Sequence, residues 1–382
     1  MSQVHNYKKE LGLEAPTFLL IFIGIFAYIG SIMGGTNMMS TVMNTAFDLL
    51  INVCFYLMAV AVLAGGISGI FSEFGVIALI NKGLSVFMKP IYDLPGASSL
   101  GMLNCFMSDN PAILTLAKDN NFRKYFKKYQ IPALTNLATS YGMGLIIITS
   151  MMNLPVDGAA KAALIGLIGA IVGSIISVRL MIRKTRKYYG TDEDVDAGSV
   201  TRVPDGYRTI REGSVGTRFI QSLLEGGKVG VEMGMAIVPG VCLICTVVIL
   251  LTNGPGPSGV YDGSANQGIA LLPVVGEKLS FITNPLFGFT SPKAIAVPIT
   301  ALGSSGAALG IVADMASKNQ VTGNDIAVFT SICMCWSGYL STHIAMMDAL
   351  DTKEMTGYAI LFHTIGGIGA GFAAHLIWIT IG

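Results

Sequence analysis

Apolar residues recur along this chain in blocks of about twenty, the length needed to cross a hydrocarbon core of about 30 Å. Blocks at 16–34, 46–66, 131–152, 159–180, 230–251, 325–347 and 357–380 predict seven transmembrane helices. One stretch among them breaks the pattern. Residues 84–116, LSVFMKPIYDLPGASSLGMLNCFMSDNPAILTL, are too polar and too interrupted to cross, yet they lie between segments that do. A shift of 195 positions lays KPIYDLPGASSLGMLNCFMSDNPAIL over NPLFGFTSPKAIAVPITALGSSGAAL without a gap, pairing Pro90 with Pro285 and Leu84–Ser85 with Leu279–Ser280. The register continues through Thr135 with Thr330 and Met151–Met152 with Met346–Met347. Apolar, glycine-rich stretches can be slid into register by chance. The shared order of a proline and two apolar runs around a small-polar tip argues for two copies instead. Weak internal symmetry with paired broken segments is a sequence mark of a transporter's binding region.

Each broken segment reads as a helical hairpin that enters the membrane and returns on the same side, at 96–107 and 111–118, then at 291–302 and 306–316. Irregular backbone at that depth is tolerated only where it is buried in protein or lines a watery cavity. Half-helix ends at the tips present dipoles suited to ions and polar solutes. Segments 73–91 and 217–229 mix apolar positions with Lys82, Lys89, Arg218, Glu225 and Lys228, which predicts helices lying in the membrane interface.

Basic residues set the orientation. Lys118, Arg123, Lys124, Lys127 and Lys128 precede the block at 131–152, and Arg179, Arg183, Lys184, Arg186 and Lys187 follow that at 159–180. The positive-inside rule places both clusters and the N-terminus in the cytoplasm. The second copy then sits upside down relative to the first, and 313–323, with a single lysine, becomes an outside loop. The expected fold is an all-α polytopic membrane protein of two inverted-topology repeats. Each repeat has three transmembrane helices plus a re-entrant hairpin, and one extra N-terminal helix precedes them. The divisions are 1–45 (tail and first helix), 46–180 (first repeat, hairpin 96–118), 181–222 (charged cytoplasmic linker) and 223–382 (second repeat, hairpin 291–316).

Composition agrees: 52 % of the 382 residues are hydrophobic, 12 % are charged and 46 are glycine, far from a soluble domain. The net charge of +1 gives no nucleic-acid footprint. All six cysteines lie in apolar segments, and Cys242-Leu-Ile-Cys245 lacks the histidine or acidic companions of a metal site. Neither a phosphate loop nor an HExxH motif is present, so enzyme chemistry has no support, and no cofactor is implied.

Candidate chemistry gathers at the hairpin tips and just after them. Asp109 is an ionisable residue carried into the membrane, which marks a functional position. The run Ser108-Asp109-Asn110-Pro111 also fits a helix N-cap with proline in the first turn, so capping is the competing role. Ser304 and Ser305 form the second tip, between glycines that allow close backbone approach. Thr135, Asn136, Thr139 and Ser140 make a polar patch early in the third predicted span, and Thr330 and Ser331 match its position in the sixth. Such residues line a cavity or merely bond the preceding turn. Asn104 and Thr300 lie within the hairpin arms, and His343, His363 and His375 are candidates for proton relay or for packing.

The stretch GGISGIFSEFGVIALINKGLSVFMKPIYDLPGASSLGMLNCFMSDNPAIL, with its weaker echo at 276–312, resembles the concentrative nucleoside transporters. It resembles equally the broader set of bacterial membrane proteins that carry the Gate, or nucleoside-recognition, domain. That resemblance implies solute and a coupling Na⁺ or H⁺ bound at both tips, 108–110 and 304–305, and in the two helices that follow them. The second tip lacks an acidic residue here, which departs from the nucleoside pattern. The expected function is cation-coupled secondary transport of a small polar solute, nucleoside-like or related. The implied solute ligands are Ser108, Asn110, Thr135, Asn136, Thr139, Ser304, Ser305, Thr330 and Ser331, with Asp109 as the coupling residue. A homo-oligomer in the lipid bilayer of a prokaryotic inner membrane is expected. The alternative is a non-transporting Gate-type scaffold or signalling protein, whose partner would use the linker.

Overall fold

A computed structural model describes residues 12–108, 125–193, 195, 210–256, 259–337 and 339–382, and its regular structure is helical throughout. Helix α1 (Glu14–Met33) exposes most of its apolar surface, including Phe18 and Leu20, as a lipid-facing helix does. After a turn at Gly34, α2 (Gly35–Glu73) runs 39 residues, well beyond the expected block at 46–66, and carries a π turn at Leu49–Cys54. The amphipathic α3 (Val76–Tyr92) ends where Asp93 takes a left-handed conformation, and α4 (Ser98–Met107) follows where the entering arm at 96–107 is expected. The returning arm expected at 111–118 lies outside the described residues.

The block at 131–152 is broken. Helices α5 (Ile131–Thr139) and α6 (Gly144–Met152) are separated by Ser140–Met143, with Met143 at φ 54°. Then α7 (Ala159–Tyr189) spans 31 residues. On the far side of the linker, α8 (Val215–Pro239) continues directly into α9 (Gly240–Thr252), whose first turn, Gly240–Cys245, is again π. The amphipathic α10 (Leu271–Phe287) meets α11 (Pro292–Gly303) at 80°, and α12 (Ser305–Ser317) returns from the tip. A second interrupted span follows as α13 (Gly323–Cys335) and α14 (Tyr339–Ala349), and α15 (Thr356–Ile381) ends the chain.

Residues 217–229 are therefore not an interfacial helix. They form the first half of a continuous α8–α9 helix, and two of their charges are paired: Arg218 bonds Glu73 at 2.6 Å, and Glu225 bonds Arg211 at 2.5 Å, while Lys228 is exposed. The interfacial pattern belongs to α10 instead, since an offset of 195 carries Val76–Tyr92 onto Leu271–Phe287. The same offset carries the start of α6 at Gly144 onto the start of α14 at Tyr339.

Among the described residues five helices are able to cross a membrane by length and composition: Glu14–Met33, Gly35–Glu73, Lys128–Met152, Ala159–Tyr189 and Lys353–Ile381. This is a multi-pass membrane protein. Small residues let its helices approach closely, as membrane packing requires where no hydrophobic drive separates helix from lipid. A Cβ on Gly226 would fall 2.1 Å from the carbonyl oxygen of Gly65, so α2 and α8 cross in backbone contact. In the second close pair, α7 and α15, Gly173 faces the Gly366 carbonyl. These two run antiparallel: Gly158 lies against Trp378 at one end, and Tyr189 bonds Glu354 at the other. Asp93, at the end of α3, pairs with Arg186 near the Tyr189 end. Gly288, at the end of α10, meets His375 near the Trp378 end. Helices α3 and α10 therefore dock at opposite ends of the α7–α15 pair.

Candidate functional site

The second hairpin tip is held by both long helices and by the interrupted span. Ser305 Oγ donates to the Cys333 carbonyl at 2.6 Å, tying the tip to α13. Ser304 Oγ caps α12 by accepting from the Ala307 amide at 3.2 Å, and it lies against Gly240, the first residue of a π turn. Further along α12, Gly310 faces Leu49 and Val53 of one π turn and Cys245 of the other, and the Cys245 thiol donates to the Ala307 carbonyl at 2.8 Å. Both π turns thus form the seat of the returning arm. Such turns widen a helix locally and concentrate at functional positions.

Helix α5 places its polar patch entirely inside the protein: Thr135, Asn136, Thr139 and Ser140 are each 0 % exposed. Thr139 and Ser140 bond the carbonyls of Thr135 and Asn136 one turn earlier. Thr135 Oγ1 donates to the sulfur of Met347 in α14 at 3.3 Å. Asn136 reaches outward, its Nδ2 donating to Ser177 Oγ at 2.8 Å and to the Ala359 carbonyl at 3.1 Å, while its Oδ1 is buried without a partner. Ser177 in turn bonds His363 Nδ1 at 3.1 Å, and His363 Nε2 meets the Cys335 carbonyl at the end of α13. A line of hydrogen bonds thus runs from one interrupted span to the other through α7 and α15.

Thr330 and Ser331 behave differently. Their hydroxyls bond the carbonyls of Ile326 and Val328 in their own helix, and their side chains pack on Gly166 and Gly169 of α7. They serve close helix contact with α7. Thr300, likewise, bonds Ala296 one turn back.

At the end of α4, Asn104 and Ser108 border a cavity of about 370 Å³ between α2, α4 and α8, whose polar lining also includes Ser68, Ser72, Arg211 and Glu225 beside apolar Ile77, Met107 and Val229. Asp109 and Asn110 lie outside the described residues. Arg211 closes one side by bridging two carboxylates, Glu225 at 2.5 Å and Glu73 at 2.6 Å. Those hydrogen bonds hold its guanidinium even further above its ordinary range. A second cavity of about 380 Å³, between α3, α4 and α7, is apolar and ends on Tyr92 and Tyr141, whose hydroxyls bond each other at 2.9 Å and both bond Ser174.

Ser174, Ser177 and Cys335 were not anticipated as part of the polar core. The two serines sit three apart on one face of α7, a signal visible in the sequence, but nothing local says what that face meets. Among the described residues no group of histidine, cysteine and carboxylate side chains is arranged to hold a metal.

A polytopic helical membrane protein is the class these features define. No protein-family model and no curated protein matches the chain. Among solved structures it is similar to the concentrative nucleoside transporter CNTnw in an inward-facing substrate-bound state, at TM-score 0.53 and 12 % identity over 97 % of this chain and 85 % of that one. A doubly substituted CNTnw in an outward-facing state aligns at TM-score 0.54 and 12 % identity, over 95 % of this chain and 85 % of that one. A singly substituted CNTnw in its intermediate 1 state gives TM-score 0.54 and 12 % identity, over 95 % and 86 %. The chain has the concentrative nucleoside transporter fold.

Proposed function

We propose that this protein is a cation-coupled secondary transporter of a small polar solute, built from two inverted repeats. The observation that carries the reading is the pair of helical segments interrupted at corresponding positions, Ser140–Met143 and Trp336–Ser337, with the Ser305 hydroxyl of the second hairpin tip tied to the end of α13. Broken helices at membrane depth free backbone dipoles for a solute and an ion, which a purely structural bundle does not need. Docking of α3 and α10 at opposite ends of the antiparallel α7–α15 pair supports the inversion. The fold is that of a transporter solved in inward- and outward-facing states.

In this reading Ser108, Asn110, Thr135, Asn136, Thr139, Ser304 and Ser305 surround the solute, and Asp109 holds the coupling Na⁺ or H⁺. Asn136, with its unpartnered buried oxygen, is the strongest solute ligand of the set. Thr330 and Ser331 act as packing residues behind it. The N-terminus faces the cytoplasm of a prokaryotic cell.

Thermal unfolding of the purified chain against nucleosides, bases, amines, organic acids and Na⁺ tests the reading. A ligand that binds only the folded state stabilises it by about 2.7 kcal/mol at a hundredfold excess over Kd. A positive shift with one solute class, reduced by Asn136→Ala, is expected. No shift with any of them moves the protein to the scaffold reading.

A further inference from the structure

We propose that His343 and His363 form a site for one proton, with His343 Nε2 as the atom that takes it. The two rings are each 0 % exposed, their centroids are 4.6 Å apart, and they sit beside the break between α13 and α14. Hydrogen-bond logic fixes the tautomers, because a backbone carbonyl only accepts. His363 Nε2 faces the Cys335 carbonyl and therefore carries its hydrogen, which leaves Nδ1 to accept from the Ser177 hydroxyl at 3.1 Å. His343 Nδ1 faces the Tyr339 carbonyl at 2.6 Å and likewise carries the hydrogen. Its Nε2 lone pair is then buried with no partner among the described residues. An unpaired acceptor at such depth is costly to keep and points to a ligand.

The surroundings allow one proton and no more. The titratable groups facing His343 are Tyr339 on its own helix, with rings 5.7 Å apart, and His363 on α15. Cys335 at the end of α13 lies beyond His363, while α5 presents Asn136 and Thr135, and α7 presents Ser177, none of them charged. Two imidazolium rings at 4.6 Å repel, so the pair titrates as a unit and takes a single charge. That charge has no carboxylate partner among the described residues, so it is stable only when water reaches the ring. The non-helical turn at Trp336–Ser337, itself buried, is the break whose opening would admit water to the ring. The proton comes from water on one side and returns to water on the other, with no other bond made or broken. Proton occupancy is thereby tied to opening of the interrupted span, and a group whose protonation differs between two states biases their equilibrium.

The consequence for coupling rests on the transport reading; the site does not, and the test separates them. Full-length protein with ¹⁵N-labelled histidine, in lipid nanodiscs, is titrated from about pH 8 to about pH 4, a range that starts above the point where free imidazole takes up its proton and ends well below it. His343→Gln, His363→Gln and His375→Gln assign the signals. We expect His343 as the Nδ1–H tautomer at high pH, uptake of one proton by the pair on acidification, and complete loss of that uptake in His343→Gln while His363 keeps its Nε2–H. A His343 protonated on Nε2 at high pH, or a folded protein in which neither ring or both rings charge, overturns the proposal. Should His343→Gln fail to fold, the wild-type spectra assigned by the other two variants decide the matter. In proteoliposomes with an internal pH dye and uridine as the probe solute, uridine-dependent proton entry should fall at least tenfold in His343→Gln. A wild type that binds its one proton but moves neither uridine nor any other solute overturns the transport reading and leaves the site standing.

Discussion

Gly226→Ala and Gly83→Ala put the same methyl group on a helix, and their expected effects on stability have opposite signs. Alanine is the better helix former by about 0.8–1 kcal/mol. Gly83 lies on the open face of α3 with nothing within 4 Å of an added Cβ, so the variant should keep most of that gain. At Gly226 the added Cβ would sit 2.1 Å from the Gly65 oxygen, 2.8 Å from the Gly65 carbonyl carbon and 3.2 Å from the Cα of Gly66. A carbon-to-oxygen contact needs about 3.3 Å or more, so α2 and α8 must part by about 1 Å. Overpacking costs about 1–3 kcal/mol, and backbone on both sides of this contact puts it at the upper end. Subtracting the propensity gain leaves a net loss of about 2 kcal/mol for Gly226→Ala, and a difference between the two variants of about 3 kcal/mol. Reversible unfolding in mixed micelles, with both variants and wild type in the same lipid and detergent, reads this directly. If Gly226→Ala proves as stable as Gly83→Ala, the close α2–α8 crossing is wrong.

The remaining expectations concern coupling, topology and the linker. Asp109→Asn should abolish accumulation against an imposed Na⁺ or pH gradient in proteoliposomes while the protein stays folded; normal ion-driven accumulation would reduce Asp109 to a helix cap, a role asparagine fills equally well. Lys318→Cys should react with an impermeant thiol reagent added outside the cell and Lys187→Cys should not, and labelling of both from one side rules out the inverted arrangement. Glu73→Gln removes the carboxylate that binds Arg211 and Arg218, so amide exchange over 210–214 should quicken while α8 keeps its protection. Unchanged exchange there means that the linker is held by something other than this cluster.

Much of the architecture was legible because its signals are local. Apolar blocks of spanning length, glycine-rich faces and a proline-marked break recurring at an offset of 195 are properties of neighbouring residues, and the ends of α3 and α10 follow that offset. The α5 patch was visible too, since four polar side chains so early in an apolar run need partners indoors. Tertiary structure alone decided what those partners are. Residues 217–229 have the charge pattern of an interfacial helix, yet Glu73, distant in sequence, accepts Arg218 where the segment runs on into the apolar α9. Thr330 and Ser331 match the α5 patch in register but face the glycines of α7, because a helix's rotation about its axis is set by what packs against it. The π turns at Leu49–Cys54 and Gly240–Cys245 leave no mark in composition, and they receive α12 only because two long helices bring them together. His343 and His363, twenty residues apart, become one site because α14 and α15 pack together and bring the two rings to 4.6 Å. Sequence specifies which groups must be buried; the depth and rotation of each helix determine which of them meet.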